Sequence, residues 1–243
     1  MLNSRIMTSR FSTRPLYLQV RDALGERIAG GEWKPSTAIP NEGDLARQFG
    51  VSPGTMRKAL DLLEAERLLT RRQGRGTFVN DQSSEELAVR YSNIRGKDGA
   101  HVAGDVELLD VTEAAVSEAE CVRLRLRPHE RVHRVRRVRL RGGKPYMFEN
   151  VAMPAAQFPG LSEQTLSHRI VVLAQQFGLL LGKGEERITI GKASPEIAET
   201  LRVEPETPLL NLDRLVCTLD GRPVEWRLGQ CRIDDTYYLA EFK

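Results

Sequence analysis

The sequence predicts an α+β protein of two domains: a winged helix-turn-helix over residues 10–80, and an antiparallel sheet with inserted helices over residues 87–243. Three observations predict it. Residues 41–65 (NEGDLARQFGVSPGTMRKALDLLEA) carry two short helical apolar stripes joined at Gly50, Val51 and Ser52. A basic strand, a glycine-bearing tip and a second strand follow at once, over residues 68–79. Beyond residue 105, β-rich runs punctuated by Gly and Pro alternate with a few helical segments, the pattern of an antiparallel sheet. At 243 residues the chain is long enough for two cores.

In the first domain, Pro15–Gly30 reads as an amphipathic helix with Leu16, Val20, Leu24 and Ile28 along one side. Gly30 and Gly31 end it. A loop through Trp33, Lys34 and Pro35 reaches Ile39 and Pro40. Leu45, Ala46 and Phe49 then share one helical face, and Met56, Ala59, Leu60 and Leu63 recur at helical spacing on the next helix. Gly50 gives the turn its backbone freedom, Ser52 is an N-cap candidate, and Pro53 occupies the favoured first helical position. The second helix turns Gly54, Thr55, Arg57, Lys58 and Asp61 to water. In a helix-turn-helix that face enters the DNA major groove, N-terminal residues first. The alternative is a helical hairpin inside a larger core. The hairpin at 68–79, with Arg75 between Gly74 and Gly76 and followed by Thr77, favours the DNA reading, because a guanidinium at such a tip reaches a sugar-phosphate edge.

Residues 80–86 (NDQSSEE) lack apolar side chains, and 81–86 read as a linker. In the second domain Leu87–Ile94 leads into a glycine-rich loop, Gly96–Gly104. Strands are expected at 106–111, 132–141, 146–152, 186–192, 209–219 and 223–233. Helices are expected at 113–124, 162–177 and 196–202, with Gly178 past the end of the second. Residues 142–145 turn one hairpin and 220–222 another.

Composition is that of an ordinary globular chain, 40% hydrophobic and 28% charged. Charge is unevenly spread. Residues 1–80 hold 13 Lys/Arg against 8 Asp/Glu, a net of +5, and the remainder nets −2. The positive excess thus travels with the helix-turn-helix, as a phosphate-binding half requires. No run has the apolar length to span a bilayer. Residues 1–14 read as a basic, polar arm, with Met7 an alternative start, and not as a secretory signal. Cys121, Cys217 and Cys231 are odd in number and lack metal-ligand spacing, which fits a reducing cytoplasm. No cofactor or metal is expected. The histidines are scattered, phosphate-cradling glycine motifs are absent, and an enzymatic role finds little support.

The unusual stretch is HRVRRVRLRGG, 133–143. Alternation along a strand puts Arg137, Arg139 and Arg141 on one face with His133 and Val135, and Arg134 and Arg136 on the other. Two guanidiniums on one face make a fork for a carboxylate or phosphate. Glu149 lies on the partner strand, and Glu225 (in VEWRLG) on a later one, each able to orient an arginine or accept a bond from a ligand. The competing reading is a solvated strand face with surface ion pairs.

Residues 15–79 resemble the winged-helix domain of GntR-family transcriptional regulators, most specifically at the VS-x-x-T-x-R-x-AL core and at QGRGTFV. The resemblance implies DNA contacts from Ser52, Thr55, Arg57, Arg75 and Gly76, and dimeric binding to a near-palindromic operator. Many members carry Arg or a long polar residue where this chain has Gly43, and Arg where it has Pro53. That difference implies sparser base readout, with Arg57, Lys58 and the wing carrying more of it. Residues 87–243 are similar to the UTRA domain, the effector-binding module of the HutC subfamily. The pieces that match are V-x-R-V-R-L-R-G-G-K-P-Y-M-F-E, Phe158 to Leu161, ASPEIAETLRVEPETPLL, and the end DDTYYLAEF. The fold implied is chorismate-lyase-like, with a small anionic effector held by Arg137, Arg139, Glu149 and Glu225. Relatives that bind sugar phosphates often have Tyr where this chain has Cys231, and small hydroxyl residues where it reads Ser167, His168 and Arg169. Both departures weigh against an amino-sugar phosphate and keep a small carboxylated metabolite open.

The expected function is therefore a cytoplasmic, homodimeric, sequence-specific regulator of transcription, a repressor by preference. The alternatives are a lyase-like enzyme, or a DNA-binding protein whose second domain only dimerises.

Overall fold

The computed structural model describes residues 14–81, 84, 89–102, 104–161 and 169–241. Contacts divide the chain into two compact units, residues 1–80 and 81–243. The expected N-terminal arm, most of the linker, and Ser167 and His168 lie outside the described residues.

The first unit holds helices α1 (Leu16–Ala29), α2 (Glu42–Phe49) and α3 (Pro53–Ala65), then strands β1 (Leu69–Arg72) and β2 (Gly76–Val79). The punctuation is local. Asn41 caps α2 by accepting from the Asp44 N–H, and Gly50 ends it at φ 61°, a left-handed turn that a side chain would strain. Ser52 then caps α3, with Pro53 in its first turn. Val20, Leu24, Leu45, Ala46, Met56, Ala59, Leu60 and Leu63 are buried. Leu16, expected on the apolar side of α1, is instead half exposed at 53%, because it begins the helix where no partner covers that turn among the described residues. The loop before α2 adds to the wing: Ala38 bridges Phe78, and the Ile39 N–H donates to the Thr77 carbonyl at 2.9 Å.

The second unit is built on one antiparallel sheet of order β4-β5-β6-β9-β8-β7. Its strands are β4 (Asp105–Ala115), β5 (Arg131–Arg141), β6 (Lys144–Pro154), β7 (Leu181–Lys192), β8 (Pro208–Thr218) and β9 (Pro223–Cys231). A two-stranded ladder joins β3 (Ile94–Gly96) to β10 (Thr236–Tyr238), so part of the expected glycine-rich loop is strand. Three helices accompany the sheet: α4 (Glu118–Leu124), α5 (Ile170–Gln176) and α6 (Pro195–Leu201). Leu124 of α4 packs with Val132, Ala152 and Leu215. On the same face Ile197, Ala198 and Leu201 of α6 meet Val138, Phe148 and Leu209. The opposite face carries α5, whose Ile170, Val171, Leu173 and Ala174 pack with Val135, Val151, Val216 and Val224.

Several expected elements change extent. The helix read over 113–124 starts only at Glu118, because Glu113–Ala115 extend β4 by pairing with His133–Arg131. Ser117 then opens α4 with a capping box: its Oγ accepts from the Glu120 N–H, and Glu120 accepts from the Ser117 N–H at 2.7 Å. The strand read over 186–192 begins at Leu181. Of the helix read over 162–177, residues 162–168 lie outside the described residues, and α5 accounts for 170–176.

Candidate functional site

Two sets of side chains stand out, one in each unit. In the first, α3 presents Gly54, Arg57 and Lys58 to solvent, with Thr55 half-buried. Ser52 Oγ accepts the Thr55 N–H at 3.1 Å and lies 2.9 Å from the Thr55 hydroxyl, so capping and display of the two hydroxyls are one arrangement. Arg57 turns back to Glu42 of α2, with Nη2 2.8 Å from Oε1 and Nε 3.2 Å from Oε2. Lys58 Nζ sits 3.9 Å from the Tyr17 ring centre on α1. Both cations of the predicted reading face are thus held by other helices of the same unit. At the wing tip the Arg75 N–H donates to the Arg72 carbonyl at 2.9 Å, and the exposed Arg75 side chain has no acidic partner among the described residues. Gly76, at φ 108°, adopts a backbone that a side chain rarely tolerates; Gly43 and Gly54 do not. Thr77 pairs with Arg71 across the hairpin.

In the second unit, register gathers the charged residues. Arg137 lies opposite Glu149, and Arg214 opposite Arg227. Glu149 is fully buried and binds three arginines: Oε2 accepts from Arg137 Nε at 2.7 Å and Arg139 Nε at 2.9 Å, and Oε1 from Arg227 Nη1 at 2.9 Å. Arg227 also donates to Glu186 at 2.6 Å, whose other oxygen accepts from the Tyr238 hydroxyl at 2.9 Å. Glu225 accepts twice from Arg214, which also donates to the Tyr91 carbonyl at 2.7 Å. Burial alone would raise the Glu149 carboxyl, but Arg139, Arg137 and Arg227 outweigh it and hold it well below the usual range. Burial pushes the Arg137 guanidinium down.

These groups border a small cavity of about 30 Å³, lined in part by Arg139, Arg169, Arg214, Arg227, Tyr91 and Tyr146. The structure therefore sorts the four residues singled out in the sequence. Arg139 lines the cavity; Arg137, Glu149 and Glu225 are buried behind the lining and hold its arginines in place. The solvated-face reading fails, since Arg137 and Arg139 are only 3% and 8% exposed. Arg141 leaves the group and faces Asp98 at 3.7 Å. Arg169, Arg214, Arg227 and Tyr146 also line the cavity and were not singled out in the sequence as site residues. Tyr146 falls at the register shift between Arg139 and Leu140, where the β5–β6 ladder skips it. Arg227 could have been found as the residue two positions beyond Glu225, on the same strand face. Cys231 is buried, with its thiol pushed up to about 12 by burial. Among the described residues no cluster could hold a metal ion, and no helix is long and apolar enough to cross a membrane.

Comparison with known proteins assigns both units. Residues 16–79 match the model of bacterial regulatory proteins of the gntR family, and residues 100–236 match that of the UTRA domain. The chain belongs to the GntR family with a UTRA domain, and it is a DNA-binding transcription regulator with an effector-binding domain. It is 30% identical over 224 residues to the mannosyl-D-glycerate transport/metabolism system repressor MngR of Escherichia coli (strain K12), covering 91% of this chain and 93% of that protein. It is 28% identical over 201 residues to the histidine utilization repressor of Pseudomonas putida, covering 82% and 81%. The fold resembles that of the possible transcriptional regulator YydK from Bacillus subtilis, with a TM-score of 0.58 at 19% identity, over 92% of this chain and 99% of that one. This is a family of regulators and not of enzymes, so the lyase-like alternative is set aside.

Proposed function

We propose that the chain is a cytoplasmic repressor that binds a near-palindromic operator as a homodimer and responds to a small anionic metabolite. Domain limits are taken as 10–80 for the head, 81–86 for the linker and 87–243 for the effector and dimerisation domain. Ser52, Gly54, Thr55, Arg57 and Lys58 meet DNA from α3, and Arg75, Gly76 and Thr77 from the wing. Repression is supported by the relatives, two of which are named repressors. A two-fold dimer suits half-sites about one helical turn apart. The cytoplasm suits three cysteines that are all free.

The observation that carries the effector reading is the lining of the cavity by Arg139 together with Arg169, Arg214 and Arg227. Guanidiniums facing a cavity favour an anion that accepts their hydrogen bonds. Arg137, Glu149 and Glu225 act one step behind, by fixing those guanidiniums. Coupling is reciprocal: an effector that loosens operator binding must itself bind less well to the operator complex.

The test is fluorescence anisotropy on DNA upstream of the protein's own gene, against a scrambled duplex at one fixed salt concentration. Tight binding to the upstream duplex alone supports the regulator and gives an assay for effectors. Arg139→Met is expected to keep operator affinity and lose the effector response. Equal responses from that variant and the wild type would remove the anion from this cavity.

A further inference from the structure

We infer that residues 94–102 form a lid over the cavity, closed by a bond from Arg95 to His101 that holds only while the imidazole is neutral. The consequence for regulation rests on the effector reading above; the lid itself does not.

The segment doubles back on itself. The Gly96 N–H donates to the Ala100 carbonyl at 2.9 Å, Gly99 turns the chain at φ 79°, and the Val102 N–H returns to the Ile94 carbonyl at 3.2 Å. Ile94 and Val102 are buried with Tyr146, Met147 and Leu212 of the sheet. Ser92, just ahead of the hairpin, and Val102, at its end, both line the cavity. The Val102 carbonyl accepts from Arg169 Nη2 at 3.2 Å, so the lid also holds one of the lining arginines.

Arg95 draws the two arms together. It is buried, and its Nη1 donates to the Ser92 carbonyl at 3.0 Å on its own arm and lies 2.7 Å from His101 Nδ1 on the other. Arginine offers donors only, so Nδ1 must present a lone pair, which a protonated ring lacks. Protonation would set a second donor and a second positive charge against a buried guanidinium. Among the described residues, the charged groups acting on His101 are Arg95 from β3, Arg169 ahead of α5 and the exposed Glu241 beyond β10. On the hairpin itself Lys97 pairs with Asp235, and Asp98 faces Arg141. Burial, then Arg95 and Arg169, push the imidazole below its ordinary value of 6.5, against Glu241. The bond's contribution is therefore full above 6.5 and drains away as pH falls below it. Mild acid should free the hairpin, release Arg169 and open the cavity to its effector.

The test is hydrogen exchange of the full chain without ligand, followed by mass spectrometry. A peptide spanning 94–102 is compared at one pH unit above and one below 6.5, after correction for the intrinsic effect of pH on exchange. Opening is expected to rise about tenfold at the lower pH, as linkage to one proton requires. A peptide from β6 should not change. His101→Asn, whose amide oxygen accepts from Arg95 and does not titrate, should keep the lid closed at both values. Arg95→Met should leave it open at both, and serves where the Asn variant does not fold. Equal wild-type protection at the two values would overturn the latch, as would an undiminished rise in His101→Asn. Loss of protection in β6 as well would make the event unfolding of the unit and overturn the lid. Since no ligand is present, failure here leaves the effector reading standing, and Arg139→Met tests that reading separately.

Discussion

Glu149 on β6 and Arg227 on β9 meet diagonally across neighbouring strands, with Oε1 2.9 Å from Nη1 and both side chains buried. Gly229 stands directly opposite Glu149, so no side chain fills the row between them. The same carboxylate holds Arg137 and Arg139 from the other side. One acid on a central strand therefore fixes arginines from β5 and β9, and through them one wall of the cavity.

Replacing that acid should be severe. Glu149→Gln leaves buried guanidiniums without their shared counter-charge and is expected to cost about 3–5 kcal/mol of stability. Because the folded carboxyl lies well below its ordinary value, its contribution is present above the unfolded value and lost only under strong acid. Urea titration checks this, and a loss below about 1 kcal/mol would mean that the arginines are satisfied elsewhere. Phosphate or succinate should restore part of the stability if the cavity is an anion site.

Glu120 should give the second unit a visible acid limb. Arg134 holds it with two bonds, at 2.8 and 2.7 Å, and Ser117 adds its N–H at 2.7 Å. The Arg134 hydrogen bonds lower its carboxyl to about 2. A depressed folded value gives stability that is full above the unfolded value of 4.5 and drains away as pH falls toward 2. Thermal melts across that window should show the wild type losing stability faster than Glu120→Gln. Parallel curves would remove Glu120 from the account.

Cys231 should be inert in the native protein. Its thiol is buried and raised to about 12, and alkylation needs the thiolate. Mild iodoacetamide treatment followed by peptide mass analysis should leave Cys231 unmodified until denaturant is added. Rapid native labelling would show that the region around Met147 and Leu212 opens readily.

Much of the head was legible because its signals are local. The Ser52 cap, the Gly50 turn and the apolar stripes each lie within a few residues of what they control. That Glu149 lies on the strand next to the arginines was legible too, since a hairpin sets its two strands side by side. Arg214, Arg227 and Arg169 were not, because they reach the cavity only when β9 docks beside β6 and α5 covers that face. Glu113, Ala114 and Ala115 misled for another reason: their helical preference yields to pairing with β5. The holds that Glu42 and Tyr17 place on Arg57 and Lys58 join separate helices and leave no periodic trace.

The Glu42–Arg57 pair leads to the prediction that most directly concerns DNA. Its members are 28% and 65% exposed, so solvent screens the pair and it adds little to folding. What it can do is hold a guanidinium in one orientation on the reading face, which limits how freely Arg57 swings to any nearby phosphate. Glu42→Gln should then tighten binding to scrambled DNA, because a negative charge is gone and Arg57 is released, while the preference for the operator shrinks. Arg57→Ala should cost about 1–3 kcal/mol on the operator if the side chain makes a bidentate base contact. On a scrambled duplex the same change should cost less. Anisotropy titrations of both variants on both duplexes, repeated at several salt concentrations, separate the cases, since a lost phosphate contact also lowers the salt slope by about one. Equal losses on the two duplexes would make Arg57 a backbone contact and Glu42 a bystander, leaving base readout to Lys58, Thr55 and the wing.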